Sequence, residues 1–309
     1  MIDIGLKWDD LERYIIEQIY TLPGIDNHEE ELSVLLTGSR AINAYSKNSD
    51  VDLDVICSKE TFEKIQKEMY RKGLTPNINQ AFYYLPEKGW EKYFGDDVGR
   101  PHFTITSLDV IENQISNYED VPTWIWTNAV VINDPNDQFK DIVGKFKGYP
   151  HEILEKKIKY RYLLASYWLI DGYPHHHKKD EDIFPAMLSI LNGIHELYRF
   201  FYIVEGKPYP YSEKLSLYVI ETKLGSKFKL FIDRIINMVV GIGCERENAW
   251  ERLDRAIELL LYGDVSPESV EFFDACDEAM IMAGIEEGWV KSGYDNIDEL
   301  LSGKLGPLP

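Results

Sequence analysis

Three aspartates alternate with aliphatic residues in the stretch Asp50-Val51-Asp52-Leu53-Asp54-Val55-Ile56-Cys57. Period two is the repeat of a β-strand, so Asp50, Asp52 and Asp54 share one face and Val51, Leu53 and Val55 the other. Carboxylates at i and i+2, here Asp50 and Asp52, project side by side and can share a hard divalent cation with a triphosphate. Mg²⁺, which takes oxygen ligands, suits that pair, with Asp54 as a further candidate ligand. Upstream, the apolar run Ser33-Val34-Leu35-Leu36-Thr37 ends in Gly38-Ser39. Gly38 lets the backbone turn tightly and lets a phosphate approach with no Cβ in the way. Ser39 offers a hydroxyl and a backbone N–H, and a helix starting after it adds an anion-friendly end. Arg40 carries a forked donor set suited to a β- or γ-phosphate. Such a site holds an α-phosphate in line between an attacking hydroxyl and departing pyrophosphate. That chemistry needs positioning and charge more than covalent help.

Several elements must position these groups. Trp8, Leu11, Ile15 and Ile19 recur at helical spacing and predict a helix over 8–20. The run from Ser33 reads as a buried strand opening into a turn, followed by a short helix near 40–45 and a polar loop over 46–49. Ser58 is the expected N-cap of a helix that buries Phe62, Ile65 and Met69 and stops at Gly73. Further strands are expected at 81–85, 102–106 and 129–132, with a helix near 107–117. From there helical patterns dominate, over 136–146, 151–170, 183–204, 226–241, 246–262 and 266–284. The expected fold class is therefore α+β: a small mixed β-sheet domain over 1–147, then an all-α helical domain over 148–309. The boundary falls where Gly148 and Pro150 interrupt the helices.

Composition narrows the partners. A chain of 309 residues, 44% hydrophobic and 13% aromatic, has ample material for a core. No apolar run approaches the length of a membrane span, and the N-terminal stretch lacks the basic start and apolar middle of a signal peptide. Three scattered cysteines make no disulfide framework, so a cytoplasmic setting is expected. A net charge of −20 disfavours long nucleic acid, whose binding rests on basic neutralisation of phosphates, and favours a small cationic partner.

The run Thr37-Gly38-Ser39-Arg40-Ala41, then Asn48-Ser49-Asp50-Val51-Asp52-Leu53-Asp54-Val55, resembles the hallmark of the DNA polymerase β-like nucleotidyltransferase superfamily. The resemblance implies a small mixed sheet with flanking helices, Gly38 and Ser39 at the triphosphate, and Asp50 and Asp52 at catalytic metal. The layout also resembles antibiotic nucleotidyltransferases acting on aminoglycosides or lincosamides, in which a helical C-terminal bundle follows the catalytic domain and the acceptor binds between them. The segments over 130–135 and 198–215 carry that second resemblance, which makes Lys214 a candidate for a nucleotide phosphate. The implied activity is Mg²⁺-dependent transfer of a nucleoside monophosphate, with ATP the expected donor, to a hydroxyl of a small, cationic acceptor.

One departure stands out. Many superfamily members carry a third carboxylate on a neighbouring strand, whereas here the strand reads His102-Phe103-Thr104-Ile105-Thr106. His102 is a candidate general base in that slot, since imidazole titrates near neutrality, and Asp54 is the other candidate. Each has a plain structural alternative, as a strand-start histidine and an acid near a strand end. Two alternatives to the small acceptor follow: nucleotidylation of a protein, as in some toxin–antitoxin systems, and a nucleotide-binding module without turnover. Trp124 and Trp126 either line an acceptor pocket or pack internally, and His175-His176-His177 reads as an exposed loop between helices.

Overall fold

The structure is a computed structural model that describes residues 3–74, 82–84, 89–173, 183–241, 248–261 and 266–305. The histidine run at 175–177 and the ends of the expected strand at 81–85 lie outside the described residues. Contacts divide the chain into two compact units, Met1–Lys147 and Gly148–Pro309.

The first unit is built on a five-stranded sheet. Its strands are β1 (Ser33–Leu36), β2 (Val51–Cys57), β3 (Phe82–Tyr84), β4 (Pro101–Ser107) and β5 (Val130–Asn133), in the order β3-β4-β2-β1-β5. The sheet is mixed. β1 runs antiparallel to both β2 and β5, and β3 antiparallel to β4, while β2 and β4 are parallel. The parallel pair needs a long crossover. That stretch includes α3 (Lys59–Arg71), which follows α1 (Trp8–Tyr14) and the one-turn α2 (Gly38–Ala41), and then α4 (Glu91–Phe94).

Alternation along the strands builds two different faces. Val34 and Leu36, Val51, Leu53 and Val55, and Phe103 and Ile105 bury one face against Leu11, Ile15, Ile19, Ile65 and Met69. Burying each such side chain fully contributes about 1.5–3 kcal/mol. On the other face Leu35 and Ile56 pack under Ile111 and Ile115 of α5 (Leu108–Ser116), Trp126 of α6 (Asp120–Asn128), and Phe139 and Ile142 of α7 (Gln138–Val143). Asp52 and Asp54 fall on that second face, since they share the parity of Ile56 and Asp54 pairs with Leu35. One stretch of the face is thus apolar and covered, and the adjoining stretch is polar. Trp126 is part of the covered stretch, donating its indole N–H to Gln114 at 2.8 Å and meeting Phe139 edge-on.

The first helix departs from expectation. α1 ends at Tyr14 and continues as a π-helical turn over Ile15–Ile19, which shifts the phase but keeps Ile15 and Ile19 buried. α3 follows the pattern more closely: Ser58 Oγ accepts from Thr61 N at 3.1 Å, and Ile65 and Met69 are buried.

The second unit is all helical among the described residues. Its helices are α8 (His151–Tyr167), α9 (Ile183–Ile203), α10 (Ser212–Tyr218), α11 (Lys223–Val240), α12 (Ala249–Leu261), α13 (Pro267–Met282), α14 (Glu287–Ser292) and α15 (Ile297–Leu301), with π and 3-10 turns between some of them. The chain as a whole is therefore α+β, a small mixed sheet with flanking helices followed by an all-helical unit. Buried polar pairing is concentrated on α9. The Glu196 carboxylate accepts from Arg161 at 2.7 Å and from Arg199 at 2.6 Å, and both guanidinium groups lie over the Tyr209 ring. No helix among the described residues is long and apolar enough to cross a membrane.

Candidate active site

The parallel pairing of β2 and β4 sets the centre of the site. Its register places Asp52 beside His102 and Asp54 beside Thr104. Neighbouring residues of a parallel pair project to the same face. His102 Nε2 and the Asp52 carboxylate are in direct contact there, both side chains partly exposed. Burial draws the imidazole pKa down, but the hydrogen bond to Asp52 and the charges of Asp52, Asp50 and Asp54 outweigh it, so the net shift is upward.

The β1 end closes on the same carboxylate. Thr37 N donates to Asp52 O at 2.9 Å, carrying the β1–β2 pairing one residue past β1. Gly38 follows with φ +64°, a conformation that costs any residue with a Cβ. A Cβ placed on Gly38 would also lie 2.7 Å from Asp52 Cγ, with the nearer carboxylate oxygen closer still. Glycine is therefore required at this position twice over. Ser39 is buried, and its carbonyl accepts from Ala44 N at 2.8 Å.

Asp50 sits just before β2 and is exposed. Its place is fixed from two sides. Gly99 N donates to Ser49 O at 3.2 Å, and a Cβ on Gly99 would fall 2.7 Å from Asp50 N and against the Asp50 carboxylate. Arg40 holds the other side. Its guanidinium donates to Asp50 O at 3.0 Å, Ser49 O at 2.8 Å and Ile4 O at 3.2 Å, with the Tyr45 ring 5.0 Å away.

That placement corrects the role expected for Arg40. At 1% exposure, with its donors committed to three backbone carbonyls, the side chain secures the loop that presents Asp50 and is not turned toward a phosphate. Asp54 is engaged differently from Asp52. Its Oδ2 accepts from Thr37 Oγ1 at 2.7 Å, and burial pushes its pKa up to about 6, the Thr37 hydrogen bond opposing and the Asp52 charge adding. Lys214 belongs to the other unit, on α10.

Sequence reasoning missed Gly99 and Thr37. Gly99 reads as an ordinary loop glycine until the pairing of β2 with β4 brings it against Asp50. Thr37 reads as the polar end of a strand, and its hydroxyl gains meaning only from the neighbouring strand.

Asp50 and Asp52 are the oxygen donors that suit a hard divalent cation. Among the described residues no group of three or more His, Cys, Asp or Glu side chains forms a self-sufficient metal cage. Mg²⁺ is commonly held by one or two carboxylates together with the substrate's own phosphates. The groups present fit such a cation.

No protein-family model matches the chain, and no curated protein matches it. Among solved structures it is similar to a nucleotidyltransferase-like protein from Exiguobacterium sibiricum 255-15, with 9% identity and a TM-score of 0.41, over 89% of this chain and 77% of that one. The chemistry proposed below rests on the side chains already described.

Proposed function

We propose that the chain is a nucleotidyltransferase that moves a nucleoside monophosphate, AMP from ATP, onto a hydroxyl of a small cationic acceptor. The observation that carries the proposal is the convergence on one carboxylate: Asp52 meets His102 across the parallel strands and meets the Gly38 turn at the end of β1. A glycine turn beside paired carboxylates is what a metal–triphosphate needs, and a neighbouring imidazole suits an acceptor proton.

In the proposed reaction the acceptor oxygen bonds to the α-phosphorus as the bond from that phosphorus to pyrophosphate breaks. Asp50 and Asp52 would hold a divalent cation, which would supply positive charge to the phosphate oxygens. Gly38 and Ser39 receive the triphosphate with backbone groups, Gly38 with no intervening Cβ. His102, fixed by its contact with Asp52, takes up the acceptor proton. The helical unit Gly148–Pro309 is proposed to recognise the acceptor. The net charge of −20 supports a cationic acceptor.

The test is pyrophosphate release from ATP and Mg²⁺ with a panel of hydroxylated polycations, aminoglycosides and lincosamides among them, alongside neutral sugars. Release that depends on a cationic acceptor, with the acceptor gaining the mass of AMP, supports the proposal. Label incorporated into protein alone moves the assignment to protein nucleotidylation. Nucleotide binding without release under any acceptor contradicts an enzyme and leaves a binding module.

A further inference from the structure

We propose that Asp54 and Thr37 form a positioning pair that sets the Gly38-Ser39 turn, and that Asp54 acts through Thr37 as neither metal ligand nor base. The inference rests on the nucleotidyl-transfer proposal and deepens it.

The geometry starts at the end of β1. Thr37 is the last residue before the turn, and its extended backbone (φ −124°, ψ −164°) precedes the abrupt change to φ +64° at Gly38. Two hydrogen bonds tie Thr37 to β2 from different atoms. The backbone N donates to Asp52 O at 2.9 Å and the hydroxyl donates to Asp54 Oδ2 at 2.7 Å. The first bond fixes where the chain leaves the ladder. The second fixes the side chain, and with it the rotation of the peptide leading into Gly38.

The hydroxyl had another use available. A threonine at a helix N-cap ordinarily accepts from a backbone N–H within its own turn, but Thr37 makes no such cap bond. Its hydroxyl spans to the neighbouring strand instead. Because Gly38 lies against Asp52 with no room for a Cβ, a small rotation of the turn changes its approach to that carboxylate. Asp54 is placed to prevent that rotation. Its partner in the parallel register is Thr104, a second short polar residue, whereas Asp52 faces His102. Three acids of one alternating run thus separate into two tasks: Asp50 and Asp52 meet the ligand, and Asp54 braces the turn beside them.

The two roles predict different substitution patterns. An asparagine at 54 keeps an oxygen that accepts from Thr37 but removes the negative charge. A positioning carboxylate tolerates that change, while a metal ligand or a base does not. The experiment compares Asp54→Asn, Asp54→Leu, Thr37→Ser, Thr37→Val and the Thr37→Val/Asp54→Leu double variant with Asp52→Asn. It measures kcat and KM for the nucleotide, and deuterium uptake of a peptide spanning residues 33–41 in the apo protein.

We expect Asp54→Asn and Thr37→Ser to stay within about fivefold of the parent in kcat/KM. Asp54→Leu and Thr37→Val should each lose more than about tenfold, chiefly through KM, and the double variant should be no worse than the worse single. Deuterium uptake over 33–41 should rise in the leucine and valine variants and not in the asparagine and serine variants. If Asp54→Asn falls as far as Asp52→Asn while Thr37→Val is benign, Asp54 belongs to the reacting groups and the pairing role is overturned, with nucleotidyl transfer intact. If uptake is unchanged in Asp54→Leu and Thr37→Val, the brace is likewise overturned. If the parent neither binds nor turns over nucleotide, the underlying function fails and this role fails with it.

Discussion

Gly38→Ala should damage the site out of proportion to the one methyl group it adds. Gly38 has φ +64°, where an alanine costs about 1–2 kcal/mol from its own backbone conformation. The new Cβ would stand 2.7 Å from Asp52 Cγ, where ordinary contact begins at 3.4 Å. The carboxylate must then retreat by roughly 1 Å, and a displacement of that size in a reacting group costs on the order of 10²-fold in rate. For a unit near 150 residues, 1–2 kcal/mol lowers Tm by about 2–8 °C. The assay is a thermal melt of the full chain without ligand, followed by nucleotide-dependent pyrophosphate release at a temperature where parent and variant are both folded. The expected result is a modest drop in Tm with a large loss of turnover. A variant that melts and turns over like the parent would refute the close approach of the Gly38 turn to Asp52.

Other consequences follow from residues fixed as firmly. Arg40→Met removes three hydrogen bonds to backbone carbonyls, of which that to Ile4 O is buried and those to Ser49 O and Asp50 O are part-buried, so chemical denaturation should show a loss of about 1–3 kcal/mol, set mainly by the buried one. If Arg40→Met is as stable as the parent yet weakens nucleotide binding, Arg40 is a phosphate ligand after all. His102→Gln keeps a hydrogen-bonding group beside Asp52 but cannot titrate. Turnover should fall about 10²- to 10⁴-fold with little change in nucleotide KM, and a parent-like kcat would remove His102 as the proton acceptor. His195 supplies a pH test in the helical unit, where burial first, then the Arg199 and Arg161 charges against Glu196, lower its pKa. The unfolded chain therefore binds that proton first as pH falls through about 6.5, so His195 lets stability fall from there down toward its folded-state pKa. Denaturation at pH 7.5 and 5.5 should show this loss in the parent and less of it in His195→Gln; equal losses would contradict the assignment.

Local pattern made much of the sheet unit legible. The alternation in Asp50–Cys57 exposes a strand with acids on one face because the period of a strand is short and strict. Gly38 announces a turn because few other residues accept its backbone. Ser58 and the spacing of Ile65 and Met69 give α3 in the same way. What the sequence withheld depends on partners far along the chain. Gly99 against Asp50 exists only through a parallel pairing of strands some fifty residues apart, the pairing that also brings His102, expected from the resemblance in the third-carboxylate slot, against Asp52. Arg40 shows how type and position can mislead: a cation one residue after Gly-Ser suggests a phosphate ligand, yet backbone carbonyls at Ile4, Ser49 and Asp50 claim it. The short helix expected over 40–45 stops at Ala41, and Asn43 takes φ +55° as the chain swings out into the loop. The α6 segment was hidden for another reason, since Trp124-Ile125-Trp126 is apolar on all sides and gives no helical stripe. Nothing local separates a pocket-lining tryptophan from Trp126, which its neighbours place in the core.

The most direct test of the central claim is thermal stabilisation of the full chain by each of the four ribonucleoside triphosphates, with and without Mg²⁺, in the parent and in Asp50→Asn/Asp52→Asn. A ligand at a hundred times its Kd adds about 2.7 kcal/mol to the folded state, well within reach of a melt. Stabilisation by at least one nucleotide that needs Mg²⁺ and disappears in the double variant is the predicted result. Equal stabilisation of parent and variant, or none by any nucleotide at millimolar concentration, would contradict a metal–triphosphate site at these two aspartates.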